Sequence, residues 1–152
     1  MKKATSTDIN DYLVRKDKKE WQPLIEKGIH YEGISVISLH YNEVTQRSTT
    51  ILLKFEAGAT YPYHNHPGGE EIFVLSGEAI LENTTLFQGD YLYTPVNFKH
   101  SVTTKKGCTM LFVVPEEVEI LYKKHETKNN LHSLWYSVPT AYRNRVGMPD
   151  MH

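Results

Sequence analysis

Between Gly33 and Pro115 the chain is cut into short apolar and β-branched segments by glycine and proline stops, and that rhythm constrains its fold more than any other feature. "ISVISLHY" (Ile34 to Tyr41) alternates in character, and "STTILLKFEAG" (Ser48 to Gly58) does the same before a glycine. A period of two residues is the mark of a strand with one face buried, so these segments read as strands rather than helices. "EIFVLSG" (Glu71 to Gly77) is rich in β-formers and "EAILEN" follows at once, so Leu75-Ser76-Gly77-Glu78 reads as a tight turn joining two antiparallel strands. "GDYLYTP" (Gly89 to Pro95), "KHSVTT" (Lys99 to Thr104) and "CTMLFVVP" (Cys108 to Pro115) continue the pattern, with turn signals at Gly89, Pro95 and Lys106-Gly107. Many short strands at this spacing imply an all-β sandwich or barrel.

A chain of 152 residues is long enough for one domain with a real core. The expected division is an irregular amino-terminal extension over 1–28, a β-barrel over 29–115 and a carboxyl-terminal extension over 116–152. "EEVEILYKKHET" (Glu116 to Thr127) fits a helix after Pro115 or one more strand equally well. The stretch from Asn129 to His152 has no clear period; it reads either as a tail that packs through Trp135 and Tyr136 on the barrel or a partner, or as a partly disordered end.

Chemistry concentrates in "YPYHNHPGGEEIFVLSG", residues Tyr61 to Gly77. Residues two apart on a strand face the same way, so His64 and His66 can point together as a chelating pair. The "PGG" turn lets the chain reverse and bring the Glu70 carboxylate back toward the two imidazoles. Counting by twos from Glu70 puts Ile72 and Val74 on the same inward face, and Glu71, Phe73 and Leu75 on the outward one. A histidine pair alone is weak evidence for a metal, because imidazoles also occupy surfaces and satisfied cores.

The wider spacing is more specific. Gly58, His64, His66, Glu70 and Gly77 stand at the fixed positions of the first cupin motif, and Gly89, Pro95 and His100 match most of the second. The chain therefore resembles the cupin superfamily over roughly Gly33 to Pro115. Two positions depart from the pattern: Asn97 replaces the usual glycine, and Thr104 replaces the closing asparagine. Asparagine tolerates left-handed backbone, so the turn at Asn97 is expected to survive. The resemblance implies a double-stranded β-helix, or jelly roll, with His64, His66, Glu70 and His100 converging on one metal inside the barrel.

A narrower likeness exists. Trp21, "GIHYEGISVISL", "FEAGATYPYHNHPGGEEIFVLSGE", "GDYLYTP" and "KHSVTTKKGCTMLFVV" look like the cupin-type domain of zinc-dependent anti-sigma factors and of stand-alone relatives that resemble acetophenone-cleaving dioxygenases. The charged lead-in of about twenty residues carries no histidine and cysteine set for a second, sigma-grasping zinc domain, so an anti-sigma role is not expected.

A formal net charge of -1 with scattered lysines gives no footprint for nucleic acid or an anionic membrane. The lysines at the amino terminus have no apolar stretch behind them, and no later run approaches membrane-spanning length, so a cytoplasmic protein is expected. Cys108, the single cysteine, permits no intrachain disulfide and reads as a small buried hydrophobe.

Three imidazoles and a carboxylate suit one divalent transition metal, with iron, zinc, manganese and nickel not distinguished by the residues. Ile72, Val74, Met110 and Phe112 are expected to line an apolar pocket beside it, with a phenol from Tyr63 or Tyr93 able to meet a small-molecule ligand. Two functions follow from the resemblance: an oxygenase of a small carbonyl, diketone or aryl ketone compound, or a non-catalytic metal-containing module that binds or senses a small ligand. Outward apolar positions such as Leu52, Phe73 and Leu75 suggest a homodimer.

Overall fold

The computed structural model describes residues 5–121. Ten strands follow two short 3₁₀ turns: β1 (Gln22–Glu26), β2 (Ile29–Asn42), β3 (Arg47–Phe55), β4 (Thr60–His66), β5 (Glu70–Leu81), β6 (Thr84–Phe87), β7 (Tyr91–Thr94), β8 (Phe98–Thr103), β9 (Cys108–Val113) and β10 (Glu119–Ile120). The expected strands are present. β1 extends the sheet ahead of residue 29, and the segment after Pro115 contributes the short strand β10, not a helix, as far as it is described. Trp135, Tyr136 and the rest of the expected tail lie outside the described residues.

All strand pairings are antiparallel, in the order β1-β2-β3-β9-β5-β8-β4-β10, with β6 and β7 also paired to β5. β5 is the hinge of the architecture. Its first half, from Glu70 to Gly77, pairs with β7 and β9, while its second half, from Glu78 to Leu81, pairs with β6 and β8. One long strand therefore serves both layers, which is how the curled jelly roll closes.

This corrects the expected tight turn at Leu75-Ser76-Gly77-Glu78: the chain bends there without reversing. The register against β9 slips between Val74 and Ser76, a bulge, and Gly77 takes φ +76°. A Cβ at Gly77 would collide with the Gly107 carbonyl, so only glycine lets the two backbones approach and the strand pass from one layer to the other.

The apolar positions of period two close the interior. Ile34, Phe55, Ile72, Val74, Val102 and Met110 belong to one contiguous core cluster. Phe73 and Leu75 alternate outward and are 40% exposed, as the pattern requires. Leu52 differs from its expected outward exposure: opposed to Ile37 on β2, it is buried along with that partner.

Candidate metal centre

Register and turn geometry, more than any single contact, assemble the histidine group. β4 and β8 run antiparallel with His64 directly opposite His100, and directly opposed residues share a sheet face. His66 shares that face two positions along β4. Between β4 and β5 the Gly69 amide donates to the His66 carbonyl (3.2 Å), and Gly69 takes φ +74°, where a side chain would press on the Thr94 carbonyl. That turn delivers Glu70 to the same interior. Asn97, at φ +64°, closes the neighbouring turn before β8, and its amide donates to the same His66 carbonyl (2.7 Å). The exchange of glycine for asparagine is thus absorbed in the left-handed region. Thr104, in place of the motif's asparagine, donates its hydroxyl to the Glu78 carbonyl (2.7 Å) and accepts from the Gly107 amide (2.9 Å), tying the turn between β8 and β9.

His64, His66 and His100 are buried and could hold a metal ion. His66 Nε2 lies 2.8 Å from His64 Nε2 and 3.0 Å from His100 Nε2. The Glu70 carboxylate, which is not one of that group of three, meets two of its members, with Oε2 2.9 Å from both His66 Nε2 and His100 Nε2.

The proton inventory of this group is telling. His64 Nδ1 faces the Pro62 carbonyl at 2.6 Å and His100 Nδ1 faces the Ser101 carbonyl at 3.2 Å. A carbonyl only accepts, so each Nδ1 carries the proton and a neutral ring turns a bare Nε2 lone pair to the centre. Burial, and next the proximity of His100, hold the His64 imidazole down to about 3, so protonation does not relieve the crowding of lone pairs. Burial pushes the Glu70 carboxyl up, but His100 and His66 beside it outweigh that and leave its pKa below the ordinary value. A shared cation is what such a donor set fits. Donors 2.8–3.0 Å apart are spaced like neighbouring corners of an octahedron with bonds of about 2.1 Å, which stand about 3.0 Å apart.

A cavity of about 460 Å³ reaches the group, with His64, His66 and Glu70 in its wall. Of the residues expected there, Phe112 lines it, together with Leu53, Phe55 and Val102, and the charged residues Glu26, Lys27, Arg47 and Glu117 are also in its lining. The other residues expected there stand elsewhere. Ile72, Val74 and Met110 are wholly buried among core side chains and leave no surface to the cavity. Tyr93 opposes Glu71 on β7, so it shares the outward face and is 59% exposed; Thr94, opposite Glu70, takes the inward place. Tyr63 is half-buried and does not line the cavity.

Tyr61, Glu26 and Arg47 are among the lining residues that sequence reasoning missed. Strict alternation sets Tyr61 on the face opposite His64, but the register of β4 against β8 slips between those two residues, at Pro62-Tyr63, and turns both inward. Proline inside a strand is the one signal that announces such a slip. The Tyr61 ring meets the His64 ring edge-on at 4.8 Å, and its hydroxyl donates to Glu26 Oε1 at 2.7 Å. Arg47 donates through Nη1 to the Val114 carbonyl (2.7 Å) at the far end of β9. Cys108 is buried, and burial pushes its thiol up to about 11, which leaves it inert.

Residues 10–119 match the family model described as the ChrR cupin-like domain. Among solved structures, an acetylacetone dioxygenase from Acinetobacter johnsonii is 16% identical with a TM-score of 0.65, covering 90% of this chain and 96% of that one. The polyketide cyclase RemF from Streptomyces resistomycificus is 16% identical with a TM-score of 0.58, covering 72% and 84%. The complex of SigE with the anti-sigma ChrR from Rhodobacter sphaeroides is 22% identical with a TM-score of 0.50, covering 66% and 50%. At these identities the likeness is one of fold. A curated plant protein, the DNA damage-repair/toleration protein DRT102 of Arabidopsis thaliana, is 32% identical over 65 residues; the match takes in 39% of this chain and only 21% of that protein's length.

Proposed function

The chain belongs to the ChrR cupin-like domain family, and we propose that it is a metal-dependent oxygenase of a small carbonyl, diketone or aryl ketone compound. In this reading His64, His66, His100 and Glu70 hold one divalent transition metal. The carrying observation is the convergence of three imidazole nitrogens and one carboxylate oxygen beside a cavity of about 460 Å³, with His64, His66 and Glu70 in its wall and largely apolar residues around the rest. A cavity of that size suits a small organic molecule.

Iron, manganese or nickel would supply redox chemistry with dioxygen there, whereas zinc would supply Lewis acidity alone. The chain's own residues do the rest. His64 and His100 hold their Nδ1 protons on backbone carbonyls, which fixes those two rings. Leu53, Phe55, Val102 and Phe112 give the substrate's alkyl or aryl part a dry wall. The fold likeness to an acetylacetone dioxygenase supports the substrate class. A cytoplasmic location and a homodimer are part of the proposal; among the described residues no helix is long and apolar enough to cross a membrane, and Phe73 and Leu75 offer outward apolar surface.

Adding diketones and aryl ketones to iron-loaded protein without air, then admitting oxygen, tests the reaction. Oxygen uptake dependent on one of these compounds supports it, and none across the series counts against it. The alternative, a non-catalytic metal-containing module that binds or senses a small ligand, is supported by the likeness to the anti-sigma ChrR structure. It expects saturable ligand binding with no turnover for any metal loaded.

A further inference from the structure

The metal-facing cavity contains a carboxyl that is neither part of the histidine group nor in contact with it: Glu26, on β1. Its Oε1 accepts the Tyr61 hydroxyl at 2.7 Å, and Tyr61 in turn leans its ring on His64. That hydrogen bond makes the Tyr61 hydroxyl a fixed donor to Glu26. Glu26 is thereby oriented with one oxygen tethered and the other left to meet a ligand. Burial raises the Glu26 carboxyl, the Tyr61 hydrogen bond opposes this, Glu117 adds to the rise, and Arg47 and Lys27 draw it back. A carboxyl whose pKa is raised is a stronger base than one in water.

Glu26 also stands where a base can be recycled. A second cavity of about 610 Å³ lies beside the first, and Glu26, Lys27, Tyr61, Glu117 and Val118 line both. Glu26 thus borders both the metal-facing cavity and its neighbour.

We propose that Glu26, held by Tyr61, is the proton-accepting residue for a β-dicarbonyl bound in the metal-facing cavity. The step breaks the acidic C–H bond between the two carbonyls, leaves its electron pair on the dicarbonyl as an enolate, and places the proton on Glu26 Oε2; no other reactant is consumed. The inference rests on the carbonyl-substrate reading above. It gives that reading an acid–base group that the residues near the histidine motif do not provide.

The test is proton release on ligand binding. Metal-loaded protein is titrated with acetylacetone by calorimetry in buffers of differing ionisation enthalpy, while the near-ultraviolet band of the bound enolate is followed. In the unaltered protein Glu26 keeps the proton, so enolate forms with little released to buffer; Glu26→Gln, which can still bond to Tyr61, should either release about one proton per enolate or fail to form enolate at equal metal content. Glu26→Asp keeps the charge but shortens the reach, and should show a partial defect in the same readout, which covers a Gln variant that fails to fold. Equal enolate and equal proton release in the unaltered protein and both variants overturns the role of Glu26 while leaving the carbonyl reading in place. No saturable acetylacetone binding to the unaltered, metal-loaded protein overturns both.

Discussion

His100 Nε2 on β8 lies 2.9 Å from Glu70 Oε2 on β5, although thirty positions separate the two residues. Both side chains are buried. A buried imidazole and carboxylate brought this close from separate strands are expensive unless their charges and lone pairs are satisfied. The adjoining His66 and His64 nitrogens make the simplest satisfaction a common cation.

His100→Ala therefore removes one proposed ligand while leaving an apolar core elsewhere intact. Metal affinity should fall by more than about 100-fold, since even outer-shell changes cost 10–100-fold. Competition with a chromophoric chelator measures it, and far-ultraviolet circular dichroism should show the β-fold retained. Unchanged affinity would remove His100 from the site.

Glu70→Gln and Glu71→Gln separate two adjacent acids. Glu70 is buried against His66 and His100, whereas Glu71 is exposed and accepts the Tyr91 hydroxyl at 2.7 Å on the outer face. The first substitution should lower metal content sharply in dialysed protein, and the second should leave it unchanged. The reverse order would place the carboxylate ligand wrongly.

Acid should act on the apo-protein through the same group. His64 is held at about 3 in the folded chain against 6.5 when free, so between those values the unfolded state binds the extra proton. Stability from this group is complete above the free value and is lost as pH falls from about 6.5 toward 3, at up to about 1.4 kcal/mol per pH unit. Glu70, lowered below 4.5, adds a loss of the same sign as pH falls through its folded value. Urea unfolding of apo-protein at pH 5 and pH 7 should show the lower midpoint at pH 5. Metal should leave as pH drops below about 6, because protons compete for imidazole.

Gly77→Ala tests the bend that lets β5 serve both layers. A left-handed φ costs about 1 kcal/mol for alanine, and the collision with the Gly107 carbonyl adds a backbone shift. A loss of at least about 2 kcal/mol in denaturant unfolding is expected. An unperturbed midpoint would mean that the strand can pass between layers by another route.

The alternation of apolar residues made the strands legible, because a half-buried strand must repeat every two residues, and the spacing from Gly58 to His100 made the histidine group legible through resemblance. What escaped has physical causes. Gly77 reads as a turn because glycine at positive φ serves tight turns and strand bends alike; only the pairing of Ser76 and Gly77 with β9 decides between them. Tyr61 escaped because a bulge shifts the face of a strand by one residue. Glu26 escaped because it reaches the cavity from β1, a strand outside the motif region. Ile72, Val74 and Met110 show the limit of parity: facing inward says nothing of whether a side chain meets a cavity or only its neighbours.

Elemental analysis of freshly purified protein tests the central claim most directly. The account predicts about one divalent transition-metal ion per chain, bound by the three histidines and Glu70. Folded protein that carries no such ion, and takes up none of iron, manganese, nickel or zinc when each is offered, would contradict it.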